Sequence, residues 1–146
     1  MSTEPGVEDD LARQYWIDLF TGKTWDEFLA AGGRTSGHRA SKAKMVKRLR
    51  PGDWLLCYVT GVSRFIGILE VESEAFTDEK MIWSDDVFPV RISVKPVATL
   101  PPETSVPVAD LLPRLSFFDE SKPMAWTGRV RSSPTLLSPA DGEVIA

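Results

Sequence analysis

The chemistry open to this chain is bounded first by the residues that are scarce in it. A single histidine, His38, excludes a multi-histidine metal site and a helical His-Glu-x-x-His motif, and a single cysteine, Cys57, excludes a Cys-x-x-Cys site. Cys57 lies inside the apolar run Trp54 to Thr60, where it reads as a small buried hydrophobe. Neither Gly61-Val62-Ser63 nor Gly128-Arg129-Val130-Arg131 has the glycine spacing of a phosphate-cradling loop. Carboxylates are plentiful, but without a defined geometry they specify no acid–base pair. No catalytic residue, metal or cofactor is expected, and the chain reads as a binder.

Two features could carry binding. The formal net charge is −4, yet seven of the 17 Lys and Arg residues lie between Arg34 and Arg50, with no Asp or Glu among them. The acids gather instead at Glu4, Glu8, Asp9 and Asp10 and between Glu70 and Asp86. A local basic face on an acidic protein can track a phosphate backbone, with Lys42, Lys47 and Arg48 as its phosphate-binding residues. The plain alternative is that these are the solvated face of a helix. The second feature is Met81-Ile82-Trp83, a cluster with an exposed look in an otherwise acidic loop. A tryptophan so placed could stack on the π-face of a base, a contact worth roughly 1–3 kcal/mol.

The elements that would position these residues centre on Lys42 to Ser73. A basic helix passes through Pro51-Gly52-Asp53 into two strands, Trp54 to Thr60 and Phe65 to Ser73, joined by a Gly-containing turn. Alternation puts Ile66 and Ile68 on one face and Phe65, Gly67, Leu69 and Val71 on the other, and Gly67 permits a bend or a close backbone approach. Before this hairpin, Tyr15 to Phe20 reads as the first strand. A Thr24-x-x-Glu27 capping box predicts a helix over Trp25 to Ala31, and Arg34 to Ala40 reads as a polar loop. Ser41 caps a second helix ending near Leu49. After the hairpin, Val87 to Leu100 reads as a strand with Val90, Ile92, Val94 and Val97 inward, and its Pro89 and Pro96 demand an edge or a bulge. Val108 to Leu115 reads as a short helix, Trp126 to Arg131 as a weak strand, and Ser138-Pro139 as a capped helix start.

At 146 residues and 42% hydrophobic, the chain suits one α+β domain with a curled sheet of about five or six strands. Residues 1–13 read as a mobile acidic tail and 14–146 as the domain. No apolar run of about 18 residues and no signal peptide is visible, so a soluble, cytoplasmic protein is expected, with no membrane partner and as a monomer.

Several segments, in order, resemble the EVE domain: Tyr15-Trp16-Ile17, Lys44 to Asp53 entering a Tyr-containing strand, Phe65 to Val71, Ile82-Trp83-Ser84-Asp85 before Pro-Val-Arg-Ile, Val106-Pro107-Val108 and Arg131-Ser132-Ser133-Pro134. The resemblance runs from about Tyr15 to Ile145. It implies a PUA-like mixed β pseudo-barrel flanked by short helices, akin to YTH and ASCH domains, with a pocket for a modified, most simply methylated, base of DNA or RNA. Through it, Trp83 matches a cage tryptophan, the alternative being a loop aromatic that plugs the barrel end, and Phe20 and Thr21 match pocket-lining positions. Trp25, Arg34, Ser36 and His38 join them in the base pocket, Trp25 with the alternative that it packs the first helix onto the sheet, while Arg39 and Arg131 are placed at phosphates, Arg131 with the alternative of bracing the barrel end. Many relatives carry a further tryptophan just after the first helix, where this chain reads Gly33 to His38. A partner nuclease is a further implication. The alternative is an ASCH-like barrel that binds or processes a small nucleoside-like metabolite.

Overall fold

The computed structural model describes residues 13–84, 86–116, 127 and 133–146. The expected acidic tail (Arg13 excepted), the weak strand at Trp126 to Arg131 (Thr127 excepted) and Arg131 itself lie outside them. Among the described residues eight strands are formed: β1 (Tyr15–Phe20), β2 (Thr35–His38), β3 (Trp54–Val59), β4 (Arg64–Val71), β5 (Phe76–Thr77), β6 (Val90–Thr99), β7 (Val106–Pro107) and β8 (Thr135–Leu137). They join in one curled, half-barrel sheet of order β2-β6-β4-β3-β1-β8, with β5 on β6 and β7 on β4. Among the described residues three α-helices flank it, α1 (Gly22–Ala30), α2 (Ala43–Val46) and α3 (Pro139–Ile145). This is a single-domain mixed α+β fold, with two or three more strands than the sequence suggests.

β3 is central because both of its faces are apolar. Leu55, Cys57 and Val59 enter one core with Trp16, Phe20, Trp25 and Phe28, while Leu56 and Tyr58 enter a second with Ile17, Phe65, Val108 and Leu137. Full burial of each such aliphatic side chain stabilises the fold by roughly 1.5–3 kcal/mol. β1 lies parallel to β3 from Tyr15↔Trp54 to Phe20↔Val59, and β4 returns antiparallel as the expected hairpin.

Simple alternation fails in β4. The register slips opposite Cys57/Tyr58, so Ile66 joins the same core as Leu69 and Val71, while Phe65 and Ile68 belong to the other. This bulge bends the strand, as an unpaired extra residue does. Gly67 stands in the bend because a Cβ there would come within 3.0 Å of the Ala98 carbonyl oxygen and 3.2 Å of the Trp25 ring. A second slip opposite Ile68/Leu69 falls at Pro96, where a missing N–H is tolerated, and turns Val97 outward, 43% exposed, rather than into the core.

Other boundaries differ from the sequence reading for local reasons. α1 begins two residues earlier than its predicted cap, because Thr21 is the N-cap: its Oγ1 accepts from Thr24 N, 3.0 Å, and its N–H donates to Thr24 Oγ1, 2.8 Å. The expected second helix shrinks to a 3₁₀ turn, Ala40–Lys42, and one α-turn, Ala43–Val46, without a cap from Ser41. Lys47 is its C-cap, and beyond it the Asp53 carboxylate accepts from the N–H of Arg50 at 3.2 Å. Val108 to Leu115 splits into two 3₁₀ turns, and Ser138 caps α3 as expected. The supposed loop Arg34 to Ala40 contains β2, which pairs Thr35↔Ser93 through His38↔Val90.

Candidate nucleic-acid interface

β1 carries Trp16, Asp18 and Phe20 on one face, so its period-2 pattern drives a carboxylate inward between two aromatics. Asp18 is 1% exposed. A buried carboxylate requires donors, and two hydroxyls supply them: Ser36 Oγ donates to Oδ2 at 2.6 Å and Ser133 Oγ to Oδ1 at 3.2 Å. Ser133 Oγ in turn accepts from the Leu19 N–H at 3.0 Å. His38, two residues beyond Ser36 on β2, places Nε2 3.3 Å from Ser36 Oγ and 4.0 Å from Asp18 Oδ1.

Burial dominates the titration of both acid and base. It raises Asp18 above 3.8 against the opposing pull of His38, Ser36 and Ser133. It lowers His38 below 6.5 despite Asp18 and the Ser133 backbone. His38 is therefore a neutral imidazole at pH 7. The order of groups is not that of a nucleophilic triad, in which imidazole stands between carboxylate and hydroxyl. Here the Ser36 hydroxyl stands between the other two and is fully buried, beyond reach of a substrate.

Over this polar cluster opens a cavity of about 250 Å³, lined by Leu19, Gly37, His38, Arg39, Lys42, Phe88 and Ser133. Its volume is below the roughly 300–1,000 Å³ of sites for drug-sized ligands and suits one small planar group. Leu19 and Phe88 supply apolar walls, His38 and Ser133 polar groups, and Arg39 and Lys42 positive charge. Among the described residues, neither cation is paired with a carboxylate.

The Phe88 wall is held from behind. Arg91 on β6 is 1% exposed and donates to the carbonyls of Lys80, Val87 (2.9 Å) and Phe88 (3.2 Å). Its guanidinium also faces Asp78 at 3.8 Å and lies 5.6 Å from the centre of the Trp83 ring. Phe88 adopts φ 48°, a left-handed conformation uncommon for an aromatic residue, and meets Trp83 edge-on at 5.5 Å. Trp83 is 2% exposed, contrary to the exposed look of its loop in the sequence. Its Nε1 donates to the Thr24 carbonyl at 3.2 Å, and its ring fills the space where a Gly37 side chain would stand, 2.5 Å from an ideal Cβ.

The residues singled out in the sequence thus separate. His38, Arg39 and Lys42 line the cavity, and Ser36 and Trp83 lie directly behind it. Phe20 and Trp25 pack with Phe28 in the core, with centroids 5.0–5.5 Å apart, and Thr21 caps α1. Arg34 points to Glu72 at 3.8 Å, Arg48 stands 5.7 Å from the Trp16 ring and Lys47 is exposed. Trp16 is three residues from Leu19 along β1, about 10 Å at the rise of a strand, so Arg48 flanks a different part of the sheet. Arg131 is outside the described residues. Asp18, Leu19 and Phe88 escaped notice. The signal for Asp18 was a carboxylate at the inward phase of an apolar strand; Phe88 carried none.

No described helix is long and apolar enough to cross a membrane, and no three His, Cys, Asp or Glu side chains converge on a metal-sized site among the described residues. A UPF0310 protein of Pyrococcus abyssi is 31% identical over 128 residues, covering 80% of this chain and 84% of its own. The NMR structure of a Rhodopseudomonas palustris protein matches with TM-score 0.61 at 21% identity, over 90% of each chain. The YTH domain of the Zygosaccharomyces rouxii MRB1 protein, solved in complex with N6-methyladenosine RNA, matches with TM-score 0.65 at 15% identity, over 92% of this chain and 84% of its own. The fold is thus shared with a domain solved in complex with N6-methyladenosine RNA. The family model of the EVE domain matches residues 14–146, and on that extent the chain belongs to the EVE domain family.

Proposed function

We propose that this EVE domain is a non-enzymatic reader that takes one modified base of a nucleic acid, most simply a methylated one, into the cavity between Leu19 and Phe88. The observation that carries the reading is the cavity itself: base-sized, apolar on two sides, polar at the floor and cationic at the rim. The Phe88 ring offers a stacking face worth roughly 1–3 kcal/mol. His38 and Ser133 read the base edge, and Arg39 and Lys42 hold adjacent phosphates, which fix position without reading sequence. Trp83 acts from behind, bracing Phe88 and Gly37. In this reading the chain works as a cytoplasmic monomer, and any chemistry on the nucleic acid belongs to a partner such as a nuclease.

The test is a panel of DNA and RNA oligonucleotides, each with and without a single modified base, titrated against the parent protein and Phe88→Ala over a range of salt. Binding of the preferred modified oligonucleotide weakens steeply with salt, and Phe88→Ala costs roughly 1–3 kcal/mol of its affinity and little of the unmodified one's. Equal losses on both would end the base-reading role of the cavity. The net charge of −4 favours the other reading, a small nucleoside-like metabolite. A free nucleoside that binds as tightly as any oligonucleotide, indifferent to salt, would select it.

A further inference from the structure

A second and larger cavity, about 480 Å³, lies where the start of α1 meets the β3–β4 hairpin and the segment at 103–105. Its volume is within the range of ligand-binding sites. The apolar lining comes from Trp25, Val59 and Ile66, all 3–4% exposed, and from Val62, 61% exposed at the hairpin tip. Asp26 and Glu103 stand at the cavity with no cationic partner among the described residues. Arg64, the one cation of the lining, turns its Nη1 to the Ser105 carbonyl at 2.7 Å. The hairpin turn is tight, with Gly61 at φ 88° and Ser63 at φ 56°, and Val62 stands between them at its tip. Nothing crowds the mouth at Gly22, where an added Cβ would meet no atom within 4 Å.

An apolar floor with unpaired carboxylates repels a phosphate backbone, so this cavity is not an extension of the cationic one. Its complement is an apolar side chain flanked by positive charge. We infer that the cavity is a docking site for a basic–apolar peptide segment of a partner protein, with a large apolar side chain of that segment seated on Trp25 and Ile66 and its neighbouring Lys or Arg residues facing Asp26 and Glu103. The exposed Val62 extends the contact beyond the cavity, which favours a peptide over a compact small molecule. This site stands whether or not the chain reads modified bases.

The experiment is a ¹⁵N–¹H NMR titration of the full chain with Ac-Lys-Phe-Lys-NH2, Ac-Glu-Phe-Glu-NH2 and phenethylamine. The basic peptide is expected to shift the amides of Gly22, Val62, Ile66 and Ser105 and to leave Gly37 and His38 in place. It should bind about five-fold more tightly than the acidic peptide, the scale of one or two exposed ion pairs. The Asp26→Asn/Glu103→Gln protein, changed at two surface positions that leave the core intact, should lose that preference. Equal affinity for the two peptides, or shifts centred on Gly37 and His38, would overturn the site. Phenethylamine binding as tightly as the basic peptide would overturn the peptide as occupant.

Discussion

The two cavities are built on opposite recipes. The smaller has a polar floor, because β1 brings Asp18 into the interior and Ser36, His38 and Ser133 gather around it, and its rim is cationic. The larger has an apolar floor of Trp25, Val59 and Ile66 and carries Asp26 and Glu103. Burial sets what each can recognise in detail, and the charge nearby decides which class of ligand approaches. A net charge of −4 describes neither place, since of the positive residues gathered after Arg34 only Arg39 and Lys42 line the first cavity and none lines the second.

That contrast breaks hardest at Trp83. Because it is 2% exposed, Trp83→Ala should lose about 3–5 kcal/mol of stability, the cost of emptying a large core site, read as a lowered midpoint in urea. Binding at the cationic cavity should fall with it, while the basic peptide should still bind whatever fraction remains folded. Asp18→Ala is expected to cost about 1–3 kcal/mol, since the Ser36 and Ser133 hydroxyls lose the acceptor they share; thermal melting against Asp18→Asn checks it.

Charge reversal sharpens the comparison without touching the fold. Arg39→Glu with Lys42→Glu should reduce the slope of log K against log salt for an oligonucleotide by about 0.7–0.9 per phosphate contact removed, whereas Lys47→Glu should change it less. Neither should weaken the basic peptide. The smallest effect is a pH dependence. His38 titrates below 6.5 in the fold, so its contribution to stability is full above 6.5 and is lost as pH falls through the folded value. Asp18, raised above 3.8, acts in the opposite sense: its contribution is full below 3.8 and declines as pH rises through the folded value. Lowering the pH from 7 to 5.5 should therefore lower the melting temperature of the parent relative to that of His38→Asn, which lacks the imidazole contribution.

The elements with strong periodicity were legible in the sequence: β1, the β3–β4 hairpin, the inward Val90, Ile92 and Val94, and the Ser138 cap. β2 was not, because Thr35-Ser36-Gly37-His38 has no apolar alternation; it becomes a strand by pairing with β6, and its glycine admits the Trp83 ring. The cap of α1 was misplaced because Thr21 and Thr24 both offer hydroxyls, and only the backbone conformation decides which is the cap. The basic cluster was visible as a run, but its division between the cavity rim (Arg39, Lys42) and the neighbourhood of Trp16 (Arg48) depends on two turns too short to leave a helical pattern. The cavity itself joins residues as far apart as Leu19 and Ser133, a proximity created by the sheet.

The Arg91 clamp bears on how quickly a ligand is received. A guanidinium keeps its charge throughout the physiological range, and with the carbonyls of Lys80, Val87 and Phe88 bonded to it, the Phe88 wall is held before a ligand arrives. The ordering entropy is then absent from association, and no loop rearrangement separates encounter from capture. Stopped-flow binding should show a single phase whose rate rises linearly with ligand concentration, and differences among ligands should lie in their residence times.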